Sequence, residues 1–327
     1  MILAVETSCD ETSVALYDRD KNIRSVLVAS QVDLFKKFGG VVPEIACRKH
    51  VEIINPLLNE LLALNKVGWK DIEAVAVTNG PGLIGAVLVG VAVAKTISAV
   101  ISVPLIDVNH LEAHIYSAFI DNEPSFPLIA LIVSGGHTNL VYMKDHLIYK
   151  TLGRTKDDAA GEAYDKVSKL LNLDYPGGPL IDKYAGKGDP LKIKFPMPMM
   201  DESLNFSYSG LKTAVRNFYE KSGNDFSIYD ISAGFQRSAI GILMKKLKKA
   251  VDEYNVNDII ICGGVACNSL LRSEANEYAQ NNGLNLFIPK PIYCTDNAMM
   301  VAVAGYRKYV NNISSSLDLD AYSIREL

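Results

Sequence analysis

Apolar and polar positions along the chain fall into a pattern that occurs twice. Residues 2–6 are a short apolar run, 7–12 a polar turn and 13–17 a second apolar run, the signature of a β-hairpin. The same unit returns at 128–133, turns at Ser134-Gly135-Gly136-His137 and climbs back over 138–143 with alternating character. Each hairpin is followed by helical periodicity, then by a strand that breaks on glycine into another helix. Those strands are 72–77, before Asn79-Gly80-Pro81-Gly82, and 258–262, before Gly263-Gly264. Each half closes alike, with strand 103–108 feeding a helix from Asn109 and strand 284–288 feeding a helix from Thr295. The pattern predicts a duplicated α/β fold.

Residues 122–127 (NEPSFP) are polar and proline-bearing, the composition of a linker, and place a first lobe at 1–124 and a second at 125–327. Residues 153–255 show helical patterns and almost no strand pattern, which predicts a helical insertion in the second lobe, with loops around 175–179 and 197–207. The last helix is free to pack back on the first lobe. Residues 83–101 are apolar and long enough to raise a membrane span. Lys95 in the middle, the preceding Gly80-Pro81-Gly82 turn and the strand that follows favour a buried helix between two strands, and no membrane association is expected.

Composition narrows the class. A chain of 327 residues with 49% apolar content can fill two cores, and a net charge of −4 confines any nucleic-acid surface to a local patch. Its five cysteines are odd in number, scattered and without zinc-ribbon spacing, as expected of reduced thiols in the cytoplasm. The first residues lack the basic region and long apolar run of a signal peptide.

His110 and His114 stand four apart near the start of a helix, so their rings project from one face and can share a metal ion; two ordinary helix-terminus histidines are the competing reading. The intervening Leu111-Glu112-Ala113 is not the H-E-x-x-H pattern, because the glutamate stands in the wrong position for a metallopeptidase base. By the internal repeat, Asp296 opens the helix equivalent to the one carrying the histidines. It is the candidate third ligand, supplied from the other half.

Ser134-Gly135-Gly136 can turn successive amides toward an anion, or can be a tight turn that needs glycine for positive φ. Gly263-Gly264 through Asn268 suits a nucleotide at the carboxyl end of a strand. Neither a P-loop nor G-x-G-x-x-G is present. Glu162 and Asp165 share a helix face and are candidates for ribose hydroxyls, with a solvated acidic face as the alternative. Asp10 and Glu11 occupy the first hairpin turn, where Asp10 is a candidate proton acceptor or an outer partner of the metal, with turn chemistry alone as the alternative reason for an aspartate there. Lys245 to Lys249 read as the wet face of an amphipathic helix, with an RNA contact as the minor alternative.

Taken together, these blocks resemble the tRNA threonylcarbamoyladenosine transferase family of the bacterial TsaD type, with its Kae/Qri/Gcp relatives, in the actin-like ATPase superfamily. The resemblance runs nearly end to end, through residues 6–12 (ETSCDET), 39–44 (GGVVPE), 109–114 (NHLEAH), 133–138 (VSGGHT), 161–166 (GEAYDK), 175–179 (YPGGP) and 294–297 (CTDN). It implies a two-lobed, ribonuclease H-like duplicated fold and a metal-dependent acyltransferase. That enzyme moves threonylcarbamoyl from threonylcarbamoyl-AMP to the exocyclic amine of the adenosine beside the anticodon, in tRNAs reading codons that begin with A.

The metal ligands carried over are His110, His114 and Asp296, holding iron(II) or zinc. The adenylate contacts are Ile132, Val133, Ser134, Gly135, Gly136, Asp165, Gly178, Asp182 and Asn268, with Asp10 as the candidate base. Archaeal and eukaryal relatives carry a tyrosine where this chain has Ile132, so a phenolic fourth ligand is lacking. The resemblance also implies tRNA, a degenerate TsaB-type paralogue pairing through the first lobe and a small TsaE-type P-loop ATPase as partners.

Overall fold

The computed structural model describes residues 1–20, 22–222 and 226–327. In chain order it contains β1 (Ile2–Glu6), β2 (Glu11–Asp18), β3 (Ile23–Ser30), α1 (Val32–Phe35), α2 (Pro43–Asn65), β4 (Ala74–Gly80), α3 (Ile84–Ile101), β5 (Leu105–Asn109), α4 (His110–Tyr116), β6 (Leu128–Val133), β7 (Thr138–Asp145) and β8 (Ile148–Arg154). There follow α5 (Ala160–Leu170), α6 (Gly177–Ala185), α7 (Ser209–Ser222), α8 (Ile228–Tyr254), β9 (Asp258–Cys262), α9 (Ser269–Asn282), β10 (Asn285–Phe287), α10 (Pro291–Cys294) and α11 (Ala298–Val310).

The repeat is realised as two five-stranded sheets of one topology, β3-β2-β1-β4-β5 and β10-β9-β6-β7-β8. In each, the first three strands are antiparallel and the remaining two join in parallel. The continuous apolar runs became the central strands: β1, β4, β6 and β9 are buried at every position, as strands covered on both faces must be. The third strand of each sheet, β3 and β8, escaped the sequence reading. Both are half exposed and interleave polar residues without strict alternation, so periodicity is weak there.

Contacts divide the chain into two compact units, Met1–Glu123 with Pro289–Leu327, and Pro124–Ile288. The boundary near residue 124 agrees with the linker. The second lobe, read as running to 327 with its last helix free to pack back on the first lobe, ends at Ile288. The reason is α11, whose residues Ala298 to Gly305 are buried and which packs on β1, β2, β4 and α4 of unit 1. The expected helical insertion is α5 to α8; its residues 223–225 lie outside the described residues, and its first residues belong to β8. The loop expected at 175–179 is instead the entry to α6, whose first turn starts at Gly177.

The apolar stretch 83–101 is α3, a crossover helix between the parallel neighbours β4 and β5. It has the length and apolarity to cross a membrane, and a third of it is buried within the protein. Lys246 departs from the expected wet face. It is 1% exposed, and its ammonium donates to Asp201 O at 3.0 Å and to Ser203 O, tying the 197–207 loop to α8.

Candidate functional site

Unit 1 assembles a cluster at the carboxyl ends of β1, β4 and β5. Asn109 caps α4, its Oδ1 accepting from Leu111 N at 2.8 Å, and this starts the helix at His110. One helical turn then brings the two imidazoles together edge to face, with ring centroids 4.6 Å apart. Both present Nε2 to one carboxylate oxygen: Asp296 Oδ1 lies 3.6 Å from His110 Nε2 and 3.2 Å from His114 Nε2.

Asp296 directly precedes Asn297, the N-cap of α11, and lies beside the two histidines. It falls in unit 1 with the histidines. One unit therefore assembles the set, and the expectation of a ligand supplied by the other half is corrected.

The donors fit a small divalent cation. All three lie within 4.8 Å of one another. A tetrahedral cation about 2.1 Å from each donor would separate them by roughly 3.4 Å, between the two nitrogen–oxygen spacings observed. His114 is wholly buried, yet neither of its ring nitrogens has a hydrogen-bond partner; the 3.2 Å approach to Asp296 lacks hydrogen-bond geometry. A buried imidazole left unsatisfied is costly unless something else takes its lone pair.

His110 is backed by Glu6, whose Oε2 lies 3.4 Å from Nδ1, and by Ser8 Oγ at 3.2 Å, an arrangement that leaves Nε2 to face Asp296. Burial pushes the Glu6 carboxyl up, but the His110 ring and Ser8 hold it below the usual range. Burial lowers the His110 pKa, and the charges of Asp296 and Glu6 outweigh it, raising the value to about 9 in the metal-free chain. A cation on Nε2 would displace that proton.

Sequence reasoning missed Glu6. Its signal was a carboxylate closing an otherwise apolar strand. Glu112 is not a general base: it caps α4 through Asn109 N and pairs with Lys308 at 3.0 Å. Asp10 is 7% exposed in the β1–β2 turn, beside Cys9 and Glu11. Burial, Asp10 and Asp296 together raise the Glu11 pKa to about 9. None of the five cysteines is in a disulfide.

Unit 2 carries the second cluster, where β6 ends. Gly135 and Gly136 are exposed, neither has positive φ, and a Cβ at either would meet nothing within 4 Å. The tight-turn explanation for these glycines therefore fails, and the turn is open to an incoming anion. The other elements close around it. A Cβ at Gly161, in α5, would strike Ser134 O at 2.6 Å, and one at Gly263, where φ is +92°, would strike Val133 O at 2.3 Å.

Asp165 Oδ1 accepts from Gly177 N at 2.7 Å, which places the open Gly178 at the start of α6. Ile132 and Val133 are fully buried core residues, so only their main chain is available to a ligand. Glu162 caps α5 through Ala159 N and pairs with Lys166 at 2.7 Å on an exposed face.

Asp182 and Asn268 are joined by a residue the sequence did not mark. Gln236 donates to Asp182 Oδ1 at 2.9 Å and accepts from Asn268 Nδ2 at 2.9 Å, while Ser269 donates to Asp182 through both Oγ and N. Asn268 Oδ1 caps α9 through Leu271 N.

Comparison with known proteins supplies the rest. The family model described as TsaD, tRNA N6-adenosine threonylcarbamoyltransferase, matches residues 22–303. The tRNA N6-adenosine threonylcarbamoyltransferase of Geotalea uraniireducens is 47% identical over 328 residues, covering 99% of this chain and 96% of the relative. That of Symbiobacterium thermophilum is 47% identical over 324 residues, covering 98% and 95%. Among solved structures, HypF of T. kodakarensis shares the fold, with a TM-score of 0.66 at 16% identity over 97% of this chain and 49% of that one. The chain belongs to the tRNA N6-adenosine threonylcarbamoyltransferase family, and its reaction is transfer of a threonylcarbamoyl group to N6 of adenosine in tRNA.

Proposed function

We propose that the donor is threonylcarbamoyl-AMP and the acceptor the adenosine beside the anticodon of tRNAs reading A-starting codons. The observation that carries this reading is the open Ser134-Gly135-Gly136 turn, whose glycines serve no backbone purpose. It receives the phosphate of the adenylate, with the main chain of Ile132 and Val133 alongside. Asp165, Gly178, Asp182 and Asn268 line the place of the nucleoside.

His110, His114 and Asp296 hold one divalent cation, iron(II) or zinc, for which two imidazoles and a carboxylate are suited donors. When bound, it supplies a Lewis-acid contact for an oxygen of the threonylcarbamoyl group. Glu6 keeps the His110 ring turned so that Nε2 remains a donor. An exocyclic amine is a weak nucleophile, so holding it against the activated carbonyl is the main contribution of the chain. As the amine nitrogen bonds to that carbonyl carbon and AMP departs, one proton leaves N6, and Asp10 accepts it.

The direct test is to incubate the purified chain with threonylcarbamoyl-AMP and unmodified tRNA, then digest the tRNA to nucleosides for mass spectrometry. Threonylcarbamoyladenosine is expected, and its absence even with helper proteins added would sink the reading. Metal content should fall to background in His114→Ala and Asp296→Ala. An Asp10→Asn chain with an unchanged single-turnover rate would remove Asp10 from the scheme.

The helpers are a TsaB-type paralogue and a TsaE-type ATPase, in the cytoplasm. The surface that suits the paralogue is α3, where Ile84, Leu88 and Val100 are 53%, 53% and 77% exposed along an apolar helix. Leu88→Glu should abolish co-elution with such a partner on size exclusion. A metallopeptidase is disfavoured because Glu112 is committed to its cap and to Lys308.

A further inference from the structure

Residues 319–326 run as a strap across the carboxyl ends of β4 and β5. Tyr322 N donates to Asn79 O at 2.8 Å and Gly82 N donates to Ser323 O at 3.3 Å. Asn79 Nδ2 reaches Asp320 O at 3.4 Å, and Lys95 Nζ reaches Leu319 O at 3.0 Å. Arg325 forks, one nitrogen on Asp107 Oδ2 at 2.6 Å and the other on Asn79 Oδ1. The fit is close: at Gly80, where φ is +141°, a Cβ would stand 2.4 Å from Tyr322 O. The hold is largely polar, since Tyr322 and Ile324 are 46% and 84% exposed and only Ala321 is buried.

One further contact gives the strap a task. Asn109 uses both ends of its amide, Oδ1 accepting from Leu111 N at 2.8 Å and Nδ2 donating to Glu326 O at 3.0 Å. Asn109 is the cap of α4, a helix of seven residues, too short to sustain itself by helix propensity. His110 is its first residue, where fraying would begin, and Asp107, the partner of Arg325, stands two residues before the cap on β5.

We infer that the strap, through Arg325 and the main chain of Glu326, is a positioning element for the two imidazoles. It fixes the Asn109 cap, and so the direction in which His110 Nε2 and His114 Nε2 face Asp296. This rests on the metal reading of the cluster. Arg325 holds the strap on Asp107 and Asn79, and the main chain of Glu326 carries that hold to Asn109.

The test uses full-length Arg325→Ala and Arg325→Lys in metal-free form, with two readouts. One is Zn²⁺ affinity by competition with a chromophoric chelator. The other is amide hydrogen exchange at residues 111–114, with β1 and β6 as internal references. Arg325→Ala should weaken Zn²⁺ binding about tenfold, as loss of an outer support of a metal ligand does. It should also speed exchange at 111–114 while leaving β1 and β6 unchanged. Arg325→Lys keeps the charge but not the fork, and should fall between wild type and alanine. Unchanged exchange at 111–114 overturns the inference, as does acceleration shared equally with β1, which is the mark of general destabilisation. If wild type binds no Zn²⁺ or Fe²⁺, the metal reading fails by itself, and the exchange pattern still decides whether the strap orders α4.

Discussion

Glu6 ends an apolar strand and is fully buried, which would be costly for a lone carboxylate; it is kept by Thr78 Oγ1 at 2.5 Å, Ser8 N at 2.5 Å and the His110 ring. Its neighbour along the chain, Glu11, is treated in the opposite way. Burial and the charges of Asp10 and Asp296 raise its pKa to about 9, with Ser30 Oγ donating at 3.0 Å as a small offset. A raised carboxyl keeps its proton in the folded chain while the unfolded chain has already lost it. The metal-free protein should therefore lose stability as pH rises from the ordinary carboxylate range toward about 9, and show no such slope below it. Glu11→Gln removes this slope. Melting temperatures of the two proteins at pH 5 and pH 8.5 check it: the Gln variant should gain on wild type only at the higher pH, and parallel curves would refute the assignment.

Among the elements, α8 shows how a long helix can carry a residue of the proposed nucleotide site without a visible motif. Gln236 is 4% exposed on the buried face of the helix, and its amide joins Asp182 to Asn268. Gln236→Leu would leave both partners half-satisfied, at a cost of about 1–3 kcal/mol. AMP affinity should drop roughly tenfold or more, measured by calorimetry, with the fold retained by circular dichroism. Gly80 makes an element-scale demand of another kind. Gly80→Ala adds a side chain where φ is +141° and Tyr322 O already occupies the space. The substitution should destabilise by roughly 1–3 kcal/mol in urea unfolding, and a neutral outcome would mean the strap does not sit there in solution.

At the scale of the molecule, α11 lies far along the chain from the sheet it completes. Met299, Met300, Val301 and Val303 are buried in unit 1, each worth roughly 1.5–3 kcal/mol. Their sum is comparable to the whole stability of a domain. A chain ending at Ile288 should therefore lose hydrogen-exchange protection in β1 and β4 while β6 and β9 of unit 2 keep theirs. Protection retained in β1 would contradict the division into units.

Read alone, the sequence determined what depends on local order. Apolar runs bounded by turns marked both hairpins and the central strands. Helical spacing put His110 and His114 on one face, and the repeat singled out Asp296. Tertiary structure decided what depends on residues distant in sequence. Glu6 meets His110 from 104 residues away, Gln236 bridges Asp182 from 54 and Arg325 reaches Asp107 from 218. Packing of α11 likewise gave Asp296 to the first unit rather than the second. Periodicity records which face of an element is apolar, but not which distant element will cover it. A polar side chain acquires its role only when the fold supplies its partner.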